Sequence, residues 1–368
     1  MAELAVHTLS LAQFRSHARA KITVDPRPVA IHGANGAGKT NILEAVSLLS
    51  PGRGLRRAAA DEMGRIDAGV GWRVSAEITS LDLVHELETS WQPNTSRKVK
   101  INDKSATQTA LGRIARVLWL IPAMDRLWIE GADGRRRFLD RATLSLEPGH
   151  ADVVLAYEKA MRERNRLLKD GVRDAHWYRA LETQMGKAGA QIAANRAMTL
   201  DMLEAAQRSV QTAFPTAHLS LEQPEGQALP ASADDLSEAL ADSRVADLAA
   251  GRSLVGPHRS DLVGRYAAKD VPARDCSTGE QKALLISLIL ANGRALKDSF
   301  GAPPLLLLDE VSAHLDPARR AALYDEIGAL GAQAWLTATE PELFAELGTR
   351  AQYLEVQEVG GTSQITQE

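Results

Sequence analysis

The chain has 368 residues, too many for one ordinary domain and about right for two. Apolar residues make up 45% and charged residues 24% of the sequence, which is typical of a globular protein, and no apolar run reaches the ~18 residues of a membrane-spanning helix. The formal net charge of −4 argues against a chain that is basic throughout, although a local basic patch would be enough to bind nucleic acid.

The cysteine count and the first residues both bear on location. Cys276 is the single cysteine, so an intramolecular disulfide is impossible and a reducing compartment is favoured. The opening Met-Ala-Glu-Leu lacks the basic and apolar regions of a secretory signal. We therefore expect a cytoplasmic protein with no membrane partner.

The first hundred residues contain short strand-like runs that predict antiparallel hairpins. Apolar residues recur at period two near 72–78, and further strand-like runs occupy 4–9, 20–24, 29–32 and 83–87. A helix is predicted near 39–50. The apolar run 117–121, which Pro122 stops, is expected to form a buried strand.

A phosphate-binding loop lies between the strand at 29–32 and the helix that follows. It matches the pattern G-x-x-x-x-G-K-[ST] at every fixed position. Glycines let such a loop turn its N–H groups towards phosphate oxygens, and the start of the helix adds partial positive charge. Lys39 should reach the β- and γ-phosphates, and the Thr40 hydroxyl should ligate Mg²⁺. The predicted ATP-binding residues of this segment are Gly33, Ala34, Asn35, Gly36, Ala37, Gly38, Lys39, Thr40 and Asn41.

Basic residues cluster just after the helix of this loop. Phosphate contacts made by such residues would be independent of DNA sequence and sensitive to salt. A solvated surface is the alternative interpretation. The DNA-binding candidates are Arg53, Arg56, Arg57 and Arg65.

The middle of the chain changes character. From about 135 to 213 the apolar residues recur at helical spacing, with an interruption near Gly171. Residues 222–235 resemble a loop, helical spacing returns at 234–250, and strands and helices alternate after Gly251. This pattern predicts a fold made from both ends of the chain, with a helical insertion between them.

Two acids follow the apolar strand 305–308. Asp309 sits where the end of a strand can hold Mg²⁺, and Glu310 can activate the attacking water as a general base. Neighbouring strand residues point to opposite sides, so the two carboxylates can have different roles. Together with Lys39 they are the predicted catalytic residues.

The segment before the long apolar helix near 283 resembles the signature motif of ABC ATPases. It consists of Ser277, Thr278, Gly279, Glu280, Gln281 and Lys282, with Thr278 in place of the first glycine of the motif. On its own, Ser277 could simply be the N-cap of that helix. His314 and Asp316 resemble the D-loop of the same class, and Thr339 follows the strand 334–338 where the class often has a switch histidine.

These motifs predict a fold class and a mode of action. We expect an α/β fold: an ABC-type P-loop ATPase domain (a mixed sheet with an antiparallel subdomain) formed by residues 1–130 and 245–368, with a short helical arm inserted at 131–244. In the ABC class, the signature residues close over the ATP that a second protomer holds. An ATP-dependent homodimer is therefore expected, and hydrolysis would release it.

Several further segments resemble the RecF family over nearly the whole chain. They are 9–17, which includes Arg15, then 122–125, 134–140 with its Arg-Arg-Arg-Phe-Leu-Asp run, and 255–262 with Gly-Pro-His-Arg-Ser-Asp. The resemblance implies that Arg15 approaches the nucleotide. Relatives that condense chromosomes carry a long coiled coil between the two halves, whereas this insertion has room only for a short arm.

The resemblance also implies partners and a reaction. It implies that ATP and Mg²⁺ are bound, that the dimer forms on double-stranded DNA at single-strand gaps, and that RecR, with RecO, helps RecA to load there. The expected activity is a weak, DNA-stimulated hydrolysis of ATP to ADP and phosphate. The main alternative is the ATPase subunit of an ABC transporter, which would require a Q-loop glutamine and a switch histidine. The sequence has neither at the corresponding positions.

Overall fold

The structure is a computed structural model that describes residues 3–65, 69–224 and 228–367, apart from the side chain of His314. In these ranges the strands are β1 (Leu4–Phe14), β2 (His17–Thr23), β3 (Val29–His32), β4 (Trp72–Ser80), β5 (Leu83–Trp91), β6 (Lys98–Ile101), β7 (Lys104–Ala106), β8 (Val117–Leu120), β9 (Ala217–Glu222), β10 (Asp261–Tyr266), β11 (Val271–Pro272), β12 (Leu305–Asp309), β13 (Ala334–Ala338), β14 (Gln352–Val359) and β15 (Thr362–Gln367). The α-helices are α1 (Lys39–Ser47), α2 (Ala132–Leu146), α3 (His150–Lys169), α4 (Ala175–Arg208), α5 (Ala233–Asp242), α6 (Arg244–Ala250), α7 (Thr278–Phe300) and α8 (Pro317–Leu330).

The chain divides into two compact units. Unit 1 comprises Met1–Asp125, Ala206–Pro215 and Ser277–Glu368, and unit 2 comprises Arg126–Ala205 and Thr216–Cys276. Both ends of the chain thus lie in unit 1. Among the described residues, no helix is both long and apolar enough to cross a membrane.

Unit 1 contains an antiparallel sheet and a mainly parallel sheet. The antiparallel sheet has the order β2-β1-β4-β5-β6-β7 and includes the hairpins expected from the alternating pattern. The other sheet has the order β15-β14-β3-β13-β12-β8, in which β14, β3, β13, β12 and β8 run parallel and β15 is antiparallel to β14. One core is shared by the two sheets and α1, because the short strands β3, β12 and β13 are buried on both faces.

Unit 2 is mainly helical. The predicted interruption of the helical pattern lies at Gly171, whose left-handed φ of 67° separates α3 from α4. A three-stranded antiparallel sheet, β11-β10-β9, completes the unit. Residues 245–276 group with unit 2 because β10 pairs with β9 along its whole length, whereas the sequence placed them in the ATPase head. The limits 131–244 stay a prediction for the inserted domain.

Candidate functional site

The glycine-rich loop 33–40 connects the buried strand β3 to helix α1. Gly33 and Gly38 have φ values of 146° and 109°, a region that side chains with a Cβ rarely adopt. A Cβ on Gly33 would lie 2.1 Å from the carbonyl oxygen of Val356, and one on Gly38 would lie 2.3 Å from Oγ of Ser363. The loop therefore requires glycine at both positions for conformational and steric reasons.

Lys39 begins α1 and its side chain returns across the loop. Its Nζ donates hydrogen bonds to the carbonyl oxygens of Gly33 at 2.6 Å and Ala34 at 3.0 Å, and the residue is 4% exposed. Burial lowers the pKa of Lys39, while the nearby carboxylates of Glu310 and Asp309 act in the opposite direction. The ammonium group is thus held at the mouth of a loop whose N–H groups favour an anion.

The loop and the acids at the end of β12 come together. The Thr40 hydroxyl donates to the carboxylate of Asp309, at 2.9 Å from Oδ1 and 3.2 Å from Oδ2, although the two residues are 269 positions apart. Asp309 is 7% exposed. This convergence places a hydroxyl and a carboxylate side by side next to the phosphate-binding loop, as expected from the spacing of the motifs.

Thr337 is a member of this cluster that the sequence analysis missed. It pairs with Asp309 in the register of β12 and β13, and its Oγ1 donates to Oδ1 of Asp309 at 2.7 Å. The same oxygen accepts a hydrogen bond of 3.0 Å from the backbone N–H of Glu310. Glu310 itself has a left-handed φ of 53°, so the chain turns sharply immediately after Asp309. Thr337 therefore holds the carboxylate of Asp309 and the backbone of Glu310 in position through hydrogen bonds.

Thr339, which the sequence suggested as the switch residue, lies just beyond the end of β13 and is half-buried. The contact with Asp309 belongs to the threonine two positions earlier. A switch role for Thr339 stays a prediction. The signal that could have identified Thr337 is its place on the strand beside β12.

The residues present fit a bound magnesium ion. Mg²⁺ prefers oxygen ligands, keeps several waters and is usually held by one or two carboxylates together with substrate phosphates. Thr40 and Asp309 supply a hydroxyl and a carboxylate within hydrogen-bonding distance of each other. They are the residues that would hold the ion.

Arg15 belongs to an ion-pair network on the side of α1. It has a left-handed φ of 52°, and its guanidinium donates to both carboxylate oxygens of Glu44, at 2.8 and 2.6 Å. The Glu44 side chain is fully buried, and Arg56 also donates to it at 3.2 Å. Arg56 donates a second bond, of 2.8 Å, to Oδ1 of the predicted ATP ligand Asn41. Arg15 and Arg56 thus share a carboxylate that compensates their charge.

The other three DNA-binding candidates differ from Arg56 in their surroundings. Arg53 and Arg57 are exposed, while Arg65 is half-buried and donates to the carbonyl oxygen of Ser16 at 3.3 Å. Arg53 and Arg57 are thus the two candidates of the four that are exposed and have no acidic partner in the residues that the structure describes.

Three side chains that the sequence analysis did not single out, those of Ser16, His17 and Ser363, pack against the phosphate-binding loop 33–40. Oγ of Ser363 donates to the carbonyl oxygen of Ala37 at 2.5 Å and accepts from the hydroxyl of Ser16 at 2.6 Å. Asn41 donates to the same Ser16 oxygen at 2.7 Å. The buried imidazole of His17 lies 3.2 Å from the carbonyl oxygen of Gly38, and burial lowers its pKa. Contacts between residues this far apart leave no local sequence pattern.

The signature-like segment divides into an exposed turn and a buried first helical turn. Ser277 caps α7 in a capping box with Glu280, in which Ser277 N–H donates to the Glu280 carboxylate at 2.9 Å. Residues 277–279 are exposed. Gln281 and Lys282 are buried, and Nζ of Lys282 pairs with Asp125 at 3.3 Å. The exposed turn is therefore the part of this segment that another molecule can reach.

The D-loop-like segment leads into α8. Residues Ser312–His314 form a short 3-10 helix, and Asp316 caps α8 by accepting a hydrogen bond of 2.9 Å from the N–H of Arg319. The side chain of His314 lies outside the described residues, so its predicted role stays a prediction. Asp316 has a structural function as a helix cap in addition to its predicted one.

Comparisons with known proteins agree on one family. The family model described as the RecF/RecN/SMC N terminal domain matches residues 5–359. The DNA replication and repair protein RecF of Rhizobium rhizogenes is 46% identical over 367 residues, which cover 97% of this chain and 98% of the relative. The protein of the same name from Mesorhizobium japonicum is 46% identical over 366 residues, covering 96% and 97%.

Solved structures confirm the predicted fold class. The recombination mediator protein RecF with ATP, from the RecFOR pathway, has a TM-score of 0.83 at 22% identity and covers all of both chains. The Smc head domain with an extended coiled coil from Pyrococcus furiosus, bound to the C-terminal domain of ScpA, has a TM-score of 0.57 at 18% identity, covering 99% of this chain and 96% of that one. The resemblance seen in the sequence is confirmed, and the chain belongs to the RecF family of DNA replication and repair proteins.

Proposed function

We propose that the chain is an ATP-dependent DNA clamp of recombinational repair. In this proposal two copies dimerise on duplex DNA at single-strand gaps when ATP is bound, and hydrolysis releases them. The observation that carries the proposal is the contact between Thr40 and Asp309, which unites a phosphate-binding loop and a strand-end acid from opposite ends of the chain.

The residues of the site have separate roles in this proposal. The loop N–H groups and Lys39 bind the phosphates, with Thr40 and Asp309 as the ligands of Mg²⁺, which would neutralise phosphate charge when bound. Glu310 orients and deprotonates the attacking water, and Thr337 keeps its backbone in place. Because Glu310 is the only group assigned to water activation, hydrolysis is expected to be slow until DNA and a partner protomer complete the site.

Dimerisation is supported by the position of the signature-like turn. Residues 277–279 are exposed at the start of α7, where they are accessible to a second copy of the chain. In the proposed dimer each copy contributes this turn to the ATP of the other, so the interface is isologous and holds two nucleotides. ATP then favours the closed state because its γ-phosphate has these contacts only there.

Family membership supports the proposed DNA and protein partners. The relatives are named DNA replication and repair proteins, and one solved relative is described as a mediator of the RecFOR pathway. We accordingly propose that the chain binds gapped duplex DNA, that RecR is its direct protein partner, and that RecO and RecA are indirect partners. The protein would act in the cytoplasm. Residues 131–244 would form its short arm.

The test is ATP-dependent binding to a labelled gapped duplex, measured by fluorescence anisotropy at low and high salt. The double variant Arg53→Gln with Arg57→Gln should bind more weakly, and the slope of log affinity against log salt should fall by about 0.9 per lost phosphate contact. Lys104→Gln, which removes an exposed cation from β7, is the matched control. An ATPase that is fast and indifferent to DNA would contradict the proposal and favour the transporter-like alternative.

A further inference from the structure

The turn at 256–260, which joins α6 to β10 in unit 2, is held unusually firmly although it takes no part in the nucleotide site. Backbone hydrogen bonds run from Arg259 N–H to the Gly256 carbonyl at 3.0 Å and from Ser260 N–H to the Pro257 carbonyl at 3.3 Å. Gly256 has a φ of 134°, and a Cβ there would lie 2.1 Å from the Tyr157 hydroxyl. Only glycine fits at this position.

Side chains of the helices fix the turn from two more directions. Arg196 donates to the carbonyl oxygen of Pro257 at 2.7 Å. Nε2 of His258 lies 3.1 Å from the Ser253 carbonyl, so it donates, and Nδ1 accepts from the Tyr157 hydroxyl at 2.8 Å. Burial lowers the pKa of His258 to about 4, which keeps the imidazole neutral in this bridging role. The turn is therefore preorganised.

Two of the arginines around the turn are neutralised by acids. Arg135 forms a bidentate pair with Asp261, with both N–O distances at 2.7 Å. Arg196 forms another with Asp140, at 2.8 and 2.9 Å. Fork-to-fork pairs of this kind satisfy both the charge and the hydrogen-bonding geometry of the guanidinium. Arg135 and Arg196 are thus structural.

Arg136 and Arg259 are not neutralised in this way. Arg136 donates to the Ser260 carbonyl at 3.2 Å, and its acidic contact is the exposed Asp133 at 3.8 Å, which Arg137 also engages. Arg259 has no ion pair within the described ranges, and its buried Nε has no hydrogen-bond partner there. Burial is the main cause that lowers the pKa of Arg136; attraction by Asp261 and Asp140 opposes the shift, and repulsion by Arg196 and Arg259 adds to it. Arg136 and Arg259 are therefore near enough to interact electrostatically.

Two guanidinium groups held close to each other without a bidentate carboxylate partner leave positive charge uncompensated at the turn. An anion bound at the turn would supply the missing negative charge. Arginine suits phosphate because its planar fork donates two parallel hydrogen bonds and is weakly hydrated. Both side chains retain access to solvent, since neither is fully buried.

We propose that Arg136 and Arg259, on the turn 256–260 and the adjoining helix α2, form a binding site for a backbone phosphate of DNA. The proposal rests on the proposed function, which supplies the phosphodiester. It adds a phosphate site in unit 2 that is separate from the arginines after α1. The contact carries no base specificity, because only phosphate oxygens are recognised.

The test compares Arg136→Gln and Arg259→Gln with Arg162→Gln, which removes an exposed arginine of α3 in the same unit. Binding of a labelled gapped duplex in the presence of ATP is measured across a salt series. Each of the first two variants should bind on the order of fivefold more weakly and show a salt slope reduced by about 0.9, whereas the control should not change. Arg259→Lys should recover part of the affinity but not all, because the charge returns without the fork.

Other outcomes separate the sources of phosphate. If inorganic phosphate raises the unfolding temperature of the wild type but not of Arg259→Gln, while DNA binding is equal in both, the site takes free phosphate and the DNA assignment is overturned. Weaker ATP affinity in these variants with unchanged DNA affinity would overturn it as well. A wild type that binds DNA alongside equally tight Gln variants overturns this site alone, whereas a wild type that binds no DNA overturns the proposed function with it. Circular dichroism of each variant shows whether it has folded.

Discussion

A single hydroxyl, that of Thr337, connects the two acids on which the proposed chemistry depends. It donates to Asp309 and accepts from the N–H of Glu310, and the residue is 1% exposed. Buried polar groups of this kind are costly to leave unpaired. The hydroxyl therefore contributes both to the stability of the strand end and to the direction in which the acids point.

Thr337→Val removes this hydroxyl while preserving the shape of the side chain. Since the Glu310 N–H then lacks its acceptor, the free energy of unfolding should fall by roughly 1–3 kcal/mol. The rate of ATP hydrolysis should fall by about tenfold or more, with a smaller change in ATP affinity. Urea unfolding, ATP titration and steady-state hydrolysis are the measurements. Thr366→Val, on the exposed side of β15, is the control, and equal behaviour of the two variants would refute the role of Thr337.

His258 makes folding depend on pH. Its pKa in the folded chain is about 4, against 6.5 when it is free, so the unfolded chain binds a proton at this imidazole first as the pH falls. Stability should therefore be unaffected by this group above pH 6.5 and should decline between 6.5 and 4, by at most about 1.4 kcal/mol per pH unit. His17 acts in the same direction because its pKa is also lowered.

Urea unfolding of the wild type and of His258→Gln at several pH values measures this effect. The variant should be less stable than the wild type at neutral pH, because it loses the bridge to Tyr157, but should lose less stability on acidification. His176→Gln, which removes an exposed imidazole at the start of α4, is the control. If the wild type and His258→Gln decline in parallel, the buried neutral imidazole is not the cause.

At the scale of elements, the start of α7 combines a helix cap with a predicted contact to the partner's ATP. The capping box of Ser277 and Glu280 satisfies N–H groups that would otherwise lack acceptors. Ser232 caps α5 in the same manner, by accepting from the N–H of Asp235 at 3.0 Å. Both serines cap a helix through the side chain, but only Ser277 belongs to the signature-like segment.

Ser277→Ala and Ser232→Ala separate the two roles. Each should lower the free energy of unfolding by about 1 kcal/mol, because each loses an N-cap hydrogen bond. Only Ser277→Ala should also lose ATP-dependent dimerisation, which light scattering with and without ATP measures. Dimerisation that is retained in Ser277→Ala, or lost in both variants, would contradict the signature role.

The elements nearest the motifs were the most predictable from sequence. The strand before Gly33, the helix from Lys39 and the strand ending at Asp309 each have a local pattern of apolar residues and turn residues. The sequence predicts no strand where β9 forms, because the alternation of buried and exposed residues there spans only six residues. Whether such a short segment forms a strand is decided by its pairing with strands that are distant in sequence.

The site was predictable only where its residues carry motifs. Thr337, Ser363 and Glu44 contact motif residues without belonging to a motif themselves, because these contacts depend on sheet register and helix packing. The same applies to Arg259, whose missing partner is a property of the folded turn. Side chains that position other groups are set by tertiary structure, which the sequence specifies only through the whole fold.

At the scale of the whole molecule, a chain of net charge −4 is proposed to hold DNA. A negative net charge is compatible with DNA binding, because phosphate contacts depend on the local electrostatic potential rather than on the total charge. Arg15, Arg135 and Arg196 each form a short ion pair within the fold. In the part of the chain that the structure describes, in contrast, Arg53, Arg57 and Arg259 have no ion pair, and Arg136 has only the 3.8 Å contact with Asp133. A dimer would present each of these cations twice.

The central claim is that ATP closes two copies of the chain on DNA, and sedimentation velocity tests it most directly. The wild type and Glu310→Gln are compared with and without ATP and a gapped duplex, at low and high salt. We predict a DNA-bound dimer that requires ATP, that persists in Glu310→Gln because hydrolysis no longer releases it, and that weakens as salt is raised. A monomer whose sedimentation is unchanged by ATP and DNA in both proteins would contradict the account.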